Sequence, residues 1–363
     1  MRNPEVSWPK LLALAEQQLV EGVVADTLFS YFHRSDEPQG ADWRESIGLD
    51  SEQHLVWMGC LELEKSRNQA HLRAAQQLSQ LWASKGLQCY LLKGFSYATM
   101  YPNPLLRHGD DIDTFILSGP DGMGTEEAWN LANKLVEESG VEVNRDFYKN
   151  SSFDYQRTKV ENHRFCSAVR GYEGKKRYER FLQSIIADKH NVKVLGTELL
   201  MPSPLFNALF FMSHAQVHFL MEGGIRLRSV CDWAAMLRYY RADGSNPAAK
   251  ARCEAFWKAF LDGCEQYGLS CFALPMSKVA ERVCGVTLPF ECDVDERLCD
   301  KLLDDILSPK NRGLEAVHKC GRLGLVKTIV QSAWKYRYFS EKGSLRSLAE
   351  LVKGYVFERK PEV

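Results

Sequence analysis

Asp111 and Asp113 stand one residue apart at the start of an apolar run, Asp111-Ile112-Asp113-Thr114-Phe115-Ile116-Leu117, that suits a buried strand. On a strand, side chains two residues apart share a face. The two carboxylates are therefore expected side by side, with Ile112, Thr114 and Ile116 turned the other way. Two negative charges this close raise a pKa unless a cation separates them. Mg²⁺ fits that place, because it takes oxygen ligands and is commonly held by one or two carboxylates plus substrate phosphates. Glu161 supplies a third carboxylate. In Lys159-Val160-Glu161-Asn162-His163 it alternates with Val160 and so faces away from it. If that segment pairs beside the Asp111 strand, Glu161 reaches the same metal. Two Mg²⁺ ions can then bridge an attacking oxygen and a phosphoryl group in transfer.

The turn at Lys93-Gly94 is the expected phosphate end of the site. Glycine lets backbone approach a ligand closely. The turn amides, the Ser96 hydroxyl and the start of a helix near Phe95 are donors for phosphate oxygens. Lys93 and Arg107 offset phosphate charge, and Arg226 and Arg228, beside Gly223-Gly224, are placed to close over a nucleotide. Plainer readings exist for several of these residues. An isolated D-x-D also occurs in solvated turns, and a long hairpin would expose Glu161. Arg228 and Asp232, four apart, can form an ion pair along a helix. His214 and His218 have zinc-ligand spacing, but no Glu follows His214 as in H-E-x-x-H, so a core or interface pair is the better reading. His163 is either a partner of the metal ligands or a plain strand residue. Lys175, Lys176, Arg177 and Arg180 make a solvated helix face or a contact for phosphate or nucleic acid.

Three regions must position these groups. Residues 1–83 read as a helical segment, with a polar loop at Ser35–Asp42 and a long helix from about Ser51 to Ser84 that carries Leu55, Met58, Leu61, Leu63, Leu72, Leu78 and Leu81. Residues 84–202 change character. Strands are expected at Leu87–Leu92 and Asp111–Leu117, with a turn at Ser118–Gly124 and then a helix capped by Thr125. Val141–Tyr148 and Phe153–Val169 suggest a hairpin joined by Lys149–Ser152. Residues 203–363 read as a helical domain opening with the Ser203-Pro204 cap. Its further helices are expected near 225–241, 248–267, 293–307, 313–335 and 343–357. The fold class is thus α+β, a mixed sheet between N- and C-terminal helical segments.

Composition removes other classes. With 363 residues, 45% hydrophobic and 26% charged, the chain is an ordinary globular one. A net charge of -1 does not suit a protein that coats nucleic acid, and no DNA-binding motif is present. The 11 cysteines form no C-x-x-C pair and read as small buried hydrophobes in a reducing compartment. No signal peptide and no bilayer-length apolar run is seen, so a cytoplasmic protein is expected.

In order along the chain, Leu92-Lys93-Gly94, Tyr101-Pro102, Arg107, Asp111-Ile112-Asp113 and Val160-Glu161-Asn162-His163 resemble an uncharacterised nucleotidyltransferase family of bacteria, within the polymerase-beta-like superfamily. His214, Gly223-Gly224-Ile225-Arg226-Leu227-Arg228 and Asp232-Trp233 continue the likeness, which spans roughly residues 10 to 240. Two positions depart from the family pattern. Asp110 stands where glycine is common, with Gly109 displaced by one, and Thr114 stands where an aliphatic residue is usual. The resemblance implies a two-metal site and an NTP donor. The function expected is Mg²⁺-dependent transfer of a nucleoside monophosphate to an acceptor hydroxyl on a small molecule, protein or RNA. The rivals are a non-catalytic nucleotide-binding or interaction protein on the same fold and a toxin-like enzyme that modifies RNA.

Overall fold

The computed structural model describes residues 6–34, 48–117, 122–167, 173–187, 192–221, 224–241, 247–308 and 333–341. The expected loop at 35–42, the helix at 343–357, most of that at 313–335 and the first half of the 118–124 turn lie outside them.

The chain begins with two helices, α1 (Trp8–Gln18) and α2 (Glu21–Arg34). They break at Leu19, which takes a left-handed conformation with φ 57°. No glycine or proline announces that break. The long α3 (Ser51–Ala83) follows, with the Asp50 carboxylate accepting from the Gln53 amide at its N-terminus. Its buried positions include Trp57, Leu61, Glu64, Asn68, His71, Ala75, Leu78 and Trp82. They are spaced alternately by four and three residues, the repeat that keeps one face of a long helix on its partner. This corrects the leucine-based expectation: Leu55, Met58 and Leu63 are exposed, and the buried stripe is polar in its middle.

Those polar residues hold a loop. Asn68 Nδ2 donates to the carbonyls of Leu105 at 2.7 Å and Arg107 at 2.9 Å. A Cβ at position 109 would sit 2.9 Å from Asn68 Oδ1, so Gly109 is the residue that lets the loop lie against α3.

The sheet has four strands, β1 (Gln88–Leu91), β2 (Asp111–Leu117), β3 (Asn150–Tyr155) and β4 (Thr158–His163), in the order β1-β2-β4-β3. β1 runs antiparallel to β2, β2 parallel to β4, and β4 antiparallel to β3. A parallel pair needs a crossover. Here it contains α5 (Thr125–Glu138), introduced after the short α4 (Phe95–Ala98) that follows β1. Gly124, not Thr125, occupies the N-cap of α5, and Glu126 and Glu127 lie in its first turn. The hairpin exists, but its turn is Gln156-Arg157, not Lys149–Ser152. Both turn residues have positive φ, 49° and 65°. That is the primed hairpin turn, built without the glycine or asparagine that usually marks it.

One sheet face, with Cys89, Leu91, Ile112, Ile116, Phe153 and Val160, packs on Trp82 of α3 and on Ala128, Ala132 and Val136 of α5. The other face, with Tyr90 and Phe115, meets the C-terminal helices. These are α6 (Glu173–Ile185), α7 (Pro204–Met221), α8 (Leu227–Tyr239), α9 (Pro247–Tyr267), α10 (Ser270–Cys284), α11 (Glu296–Leu307) and α12 (Ala333–Phe339). The Ser203 cap is present, with its hydroxyl accepting from the Phe206 amide. α10 was not expected. It carries Pro275 within it and is held to α8 by Trp233 Nε1 donating to Ser277 Oγ at 2.9 Å. The chain is thus α+β, with a mixed sheet between helical layers. No helix of the described residues is long and apolar enough to cross a membrane.

Asn68→Ala is predicted to destabilise the protein by about 2–3 kcal/mol, because two loop carbonyls lose their buried donor. Urea unfolding checks this, and a loss under about 1 kcal/mol would contradict the role given to α3.

Candidate active site

The β2–β4 register decides the site. Asp113 lies directly opposite Glu161, with Asp111 opposite Lys159 and Phe115 opposite His163. Period two then puts Asp111, Asp113, Glu161 and His163 on one face, the face turned toward the C-terminal helices. Ile112 and Ile116 enter the opposite core, as expected. Thr114 also turns that way, and its hydroxyl donates to Asn162 Oδ1 at 3.4 Å. Asn162 Nδ2 in turn donates to Asn133 Oδ1 on α5. This pairing explains a hydroxyl where an aliphatic side chain is usual.

Lys93 is drawn into the acidic face. Its Nζ is 3.0 Å from Asp113 Oδ2 and 4.0 Å from Asp111 Oδ2. Burial opposes its charge, but Asp113, Asp111 and Glu161 together outweigh burial and hold the ammonium protonated well above its usual range. Gly94 makes this possible. Its φ of 65° with ψ of -116° is a conformation open to glycine and strained for other residues. The turn packs close to the Asp111 carbonyl, 3.4 Å from where a Cβ would stand.

The carboxylates differ in state. Burial and the neighbouring Asp113 raise the Asp111 pKa. Burial raises that of Asp113, Lys93 lowers it, and Glu161 adds to the rise. Glu161 moves the other way: burial is outweighed by a hydrogen bond from Lys159, 2.6 Å from Oε1, and by Lys93. His163 Nε2 is 2.9 Å from Asp113 Oδ1, and its Nδ1 is 3.3 Å from the Phe165 carbonyl. Burial, Lys149 and Lys93 push this imidazole down to about 3. A neutral ring has one N–H, and the shorter contact, to Asp113, is assigned it.

Asp113 Oδ2 is buried and has no aligned hydrogen-bond partner, although the Lys93 ammonium lies beside it. Asp113, Glu161 and His163 offer ligand atoms within 4.8 Å of one another. The donor set, carboxylate oxygens backed by a histidine that grips one of them, fits a hard divalent cation.

A family model described as Uncharacterised nucleotidyltransferase matches residues 4–285. The chain belongs to that family. Comparison with curated proteins and with solved structures gives no significant match.

Within this nucleotidyltransferase-type scaffold, Asp111, Asp113, Glu161, Lys93 and Gly94 come together. Ser96 is fully buried just beyond the turn, and its hydroxyl has no hydrogen-bond partner among the described residues. Arg107 is elsewhere. Its Nε and Nη2 donate to the two Asp232 oxygens at 2.7 and 2.8 Å, Nη1 donates to the His108 carbonyl, and Tyr101 Oη donates to Asp232 as well. That corrects the phosphate role expected of Arg107: its buried charge is spent on joining the loop to α8. It also removes Asp232 as the helical partner of Arg228, which instead pairs with Asp110 at 2.9 Å. Asp110 is 55% exposed, and His108 Nε2 also holds it at 2.8 Å.

Sequence reasoning did not see Lys149, and it set His214 apart from the site. Both are within electrostatic reach of it: burial, His218, Lys93, Lys149 and His163 all hold the His214 imidazole well below its usual range. His214 and His218 meet Nε2 to Nε2 at 3.2 Å. Lys149 was hidden because the hairpin turn was placed on it.

Two stability measurements follow. Asp232→Ala leaves the Arg107 guanidinium buried without its carboxylate and is predicted to cost about 3–5 kcal/mol in urea unfolding. Asp111→Asn acts oppositely in chelator. Folding raises the Asp111 pKa, so this carboxyl favours the fold while protonated and loses that contribution as pH rises through its folded pKa. The Asn variant is predicted to melt about 2 °C above the wild type at pH 8, with the gap shrinking toward pH 4. A variant less stable at pH 8 would refute this.

Proposed function

We propose that the protein is a Mg²⁺-dependent nucleotidyltransferase that moves a nucleoside monophosphate from an NTP to an acceptor hydroxyl and releases pyrophosphate. The observation that carries this reading is the convergence of Asp111, Asp113 and Glu161 on one sheet face, with Asp113 opposite Glu161 in register and Asp111 two residues before it. Asp111, Asp113 and Glu161 would hold the metal, two ions in all. When bound, Mg²⁺ would neutralise triphosphate charge and draw attacking and leaving oxygens into line.

The chain's own residues then have separable tasks. Asp113 is oriented by His163. Glu161, ionised because Lys159 and Lys93 outweigh its burial, serves as ligand or takes the acceptor's hydroxyl proton on a carboxylate oxygen. Lys93 moves its contact from Asp113 to the incoming phosphates. The Gly94 turn brings backbone amides to the triphosphate, and the unpartnered Ser96 hydroxyl adds a donor. Arg228, which pairs with Asp110 just before β2, would supply a further positive charge for the nucleotide. In this reading residues 84–202 form the catalytic domain, with helical regions 1–83 and 203–363 on either side.

A second reading rests on Lys93. Its ammonium already occupies the place between the carboxylates, which favours a nucleotide-binding protein without turnover. Transfer is tested by incubating the protein with Mg²⁺, mixed NTPs and candidate acceptors, then measuring pyrophosphate release and acceptor mass. Wild type is expected to turn over, and Asp111→Asn or Asp113→Asn to lose on the order of 10²–10³-fold. Nucleotide binding by calorimetry without pyrophosphate release, unchanged in both variants, would establish the second reading. No binding of any NTP would sink both.

A further inference from the structure

A second group of ligand-type side chains lies where the N-terminal helices close over the 107–110 loop. Glu21 opens α2, Glu64 sits on the polar stripe of α3, and His108 is on the loop. All three are buried, and each offers an atom within 4.8 Å of the others. His108 Nδ1 lies 3.0 Å from Glu21 Oε1 and 2.9 Å from Glu64 Oε1. Its Nε2 lies 2.8 Å from Asp110 Oδ1. Glu21 is 8% exposed and Glu64 2%, and Oε2 of each is buried with no hydrogen-bond partner among the described residues. Gly22 permits the approach, for a Cβ there would stand 2.6 Å from the Leu106 carbonyl oxygen and 3.2 Å from Glu64 Cγ.

A proton on His108 satisfies this group only in part. One Nδ1–H cannot align with two carboxylates at once, and two orphaned oxygens remain. The Glu21 and Glu64 carboxylates also present oxygens within 4.8 Å of each other, a proximity that two ionised groups avoid unless something positive lies between them. Arg67 answers part of the charge through Glu64 Oε1 at 2.6 Å, and Arg228 answers Asp110. Neither reaches the orphaned oxygens. A divalent ion would take Nδ1 and an oxygen from each glutamate. Asp110 would then do what carboxylates do behind a metal-bound histidine, accepting the Nε2–H and fixing the tautomer that frees Nδ1.

We propose that Glu21, Glu64 and His108 form a second divalent-metal site, separate from the β2–β4 carboxylates and suited to Zn²⁺. One imidazole and two carboxylates are a zinc donor set, whereas Mg²⁺ prefers oxygen alone. The carboxylates of Glu21, Glu64 and Asp110, all within 3.0 Å of a His108 ring nitrogen, make the surroundings attractive to a cation. The ion would tie α2 and α3 to the loop that runs directly into Asp111. It is a site of assembly, and it stands whether or not the β2–β4 site turns over nucleotide.

The test uses the full chain with Asp111→Asn and Asp113→Asn, which removes ligands of the first site. This protein is stripped with chelator, dialysed against Zn²⁺ and analysed for metal by mass spectrometry. About one Zn²⁺ per chain is expected, with a rise in Tm of about 2–4 °C over the stripped form. Adding Glu64→Gln or His108→Gln should remove both the metal and the rise. Glu21→Gln is the third arm should either variant fail to fold, as judged by circular dichroism in chelator. No bound Zn²⁺ in the double variant, or a stoichiometry that these substitutions leave unchanged, would overturn the proposal.

Discussion

Asp113 and Glu161 face each other across a parallel strand pair, with Asp111 two residues along, and the three negative charges repel. At an effective dielectric near 20, unit charges about 4 Å apart interact by about 4 kcal/mol. A sheet face can carry that repulsion only if the strands are fixed by other means and if a positive charge is supplied. β1 and the hairpin partner β3 flank β2 and β4 on either side, so neither acidic strand is an edge. Lys93 supplies the charge from the turn after β1, and Lys159 from one register step away. The acidic face thus holds together on counter-charges carried by lysine side chains, which a metal and phosphates would replace in the proposed reading.

The scaffold behind this face is polar where a simpler protein would be apolar. The middle of the α3 stripe is Glu64, Asn68 and His71, not leucine. Asn68 binds the 105–107 carbonyls, while Arg107 on the same loop reaches Asp232 on α8. One short loop is therefore held from both helical layers immediately before it becomes β2. Hydrogen bonds are directional where apolar contact is not. A loop fixed this way sets where Asp111 begins, and through the strand period it sets where Asp113 points.

What the sequence disclosed followed the same division. Asp111, Asp113 and Glu161 were legible because strand period two is a local rule, and the parallel pairing only had to bring two such strands together. The strand at Asp111–Leu117 and the helix from Thr125 were legible for similar reasons. The misses involve either residues whose partners are distant in the chain or local backbone features that no residue type marks. Arg107 reads as a phosphate ligand until Asp232, 125 residues away, is seen to hold it. Leu55, Met58 and Leu63 of α3 suggest a buried face that tertiary packing leaves in solvent, while Leu61 and Leu78 are buried. The Gln156-Arg157 turn and the Leu19 break use positive φ without glycine, so no residue type marked them. α10 carries a proline within its span, the usual sign against a helix.

The departure at Asp110 joins these two themes. A glycine directly before Asp111 would leave His108 Nε2 and Arg228 without their shared carboxylate. The glycine is needed one residue earlier, where α3 presses on the loop. Gly109 meets that packing demand, and Asp110 beside it carries a charge. That charge sits on His108 of the Glu21–Glu64–His108 group and also adds to the rise in the Asp111 pKa. Two acidic groups of opposite design thus meet at one residue boundary. One turns toward the C-terminal helices and balances its carboxylates with lysines. The other is enclosed by the N-terminal helices and balances them with a histidine and two arginines. Positions 110 and 111 carry the same residue type, and the strand that begins between them gives them different work.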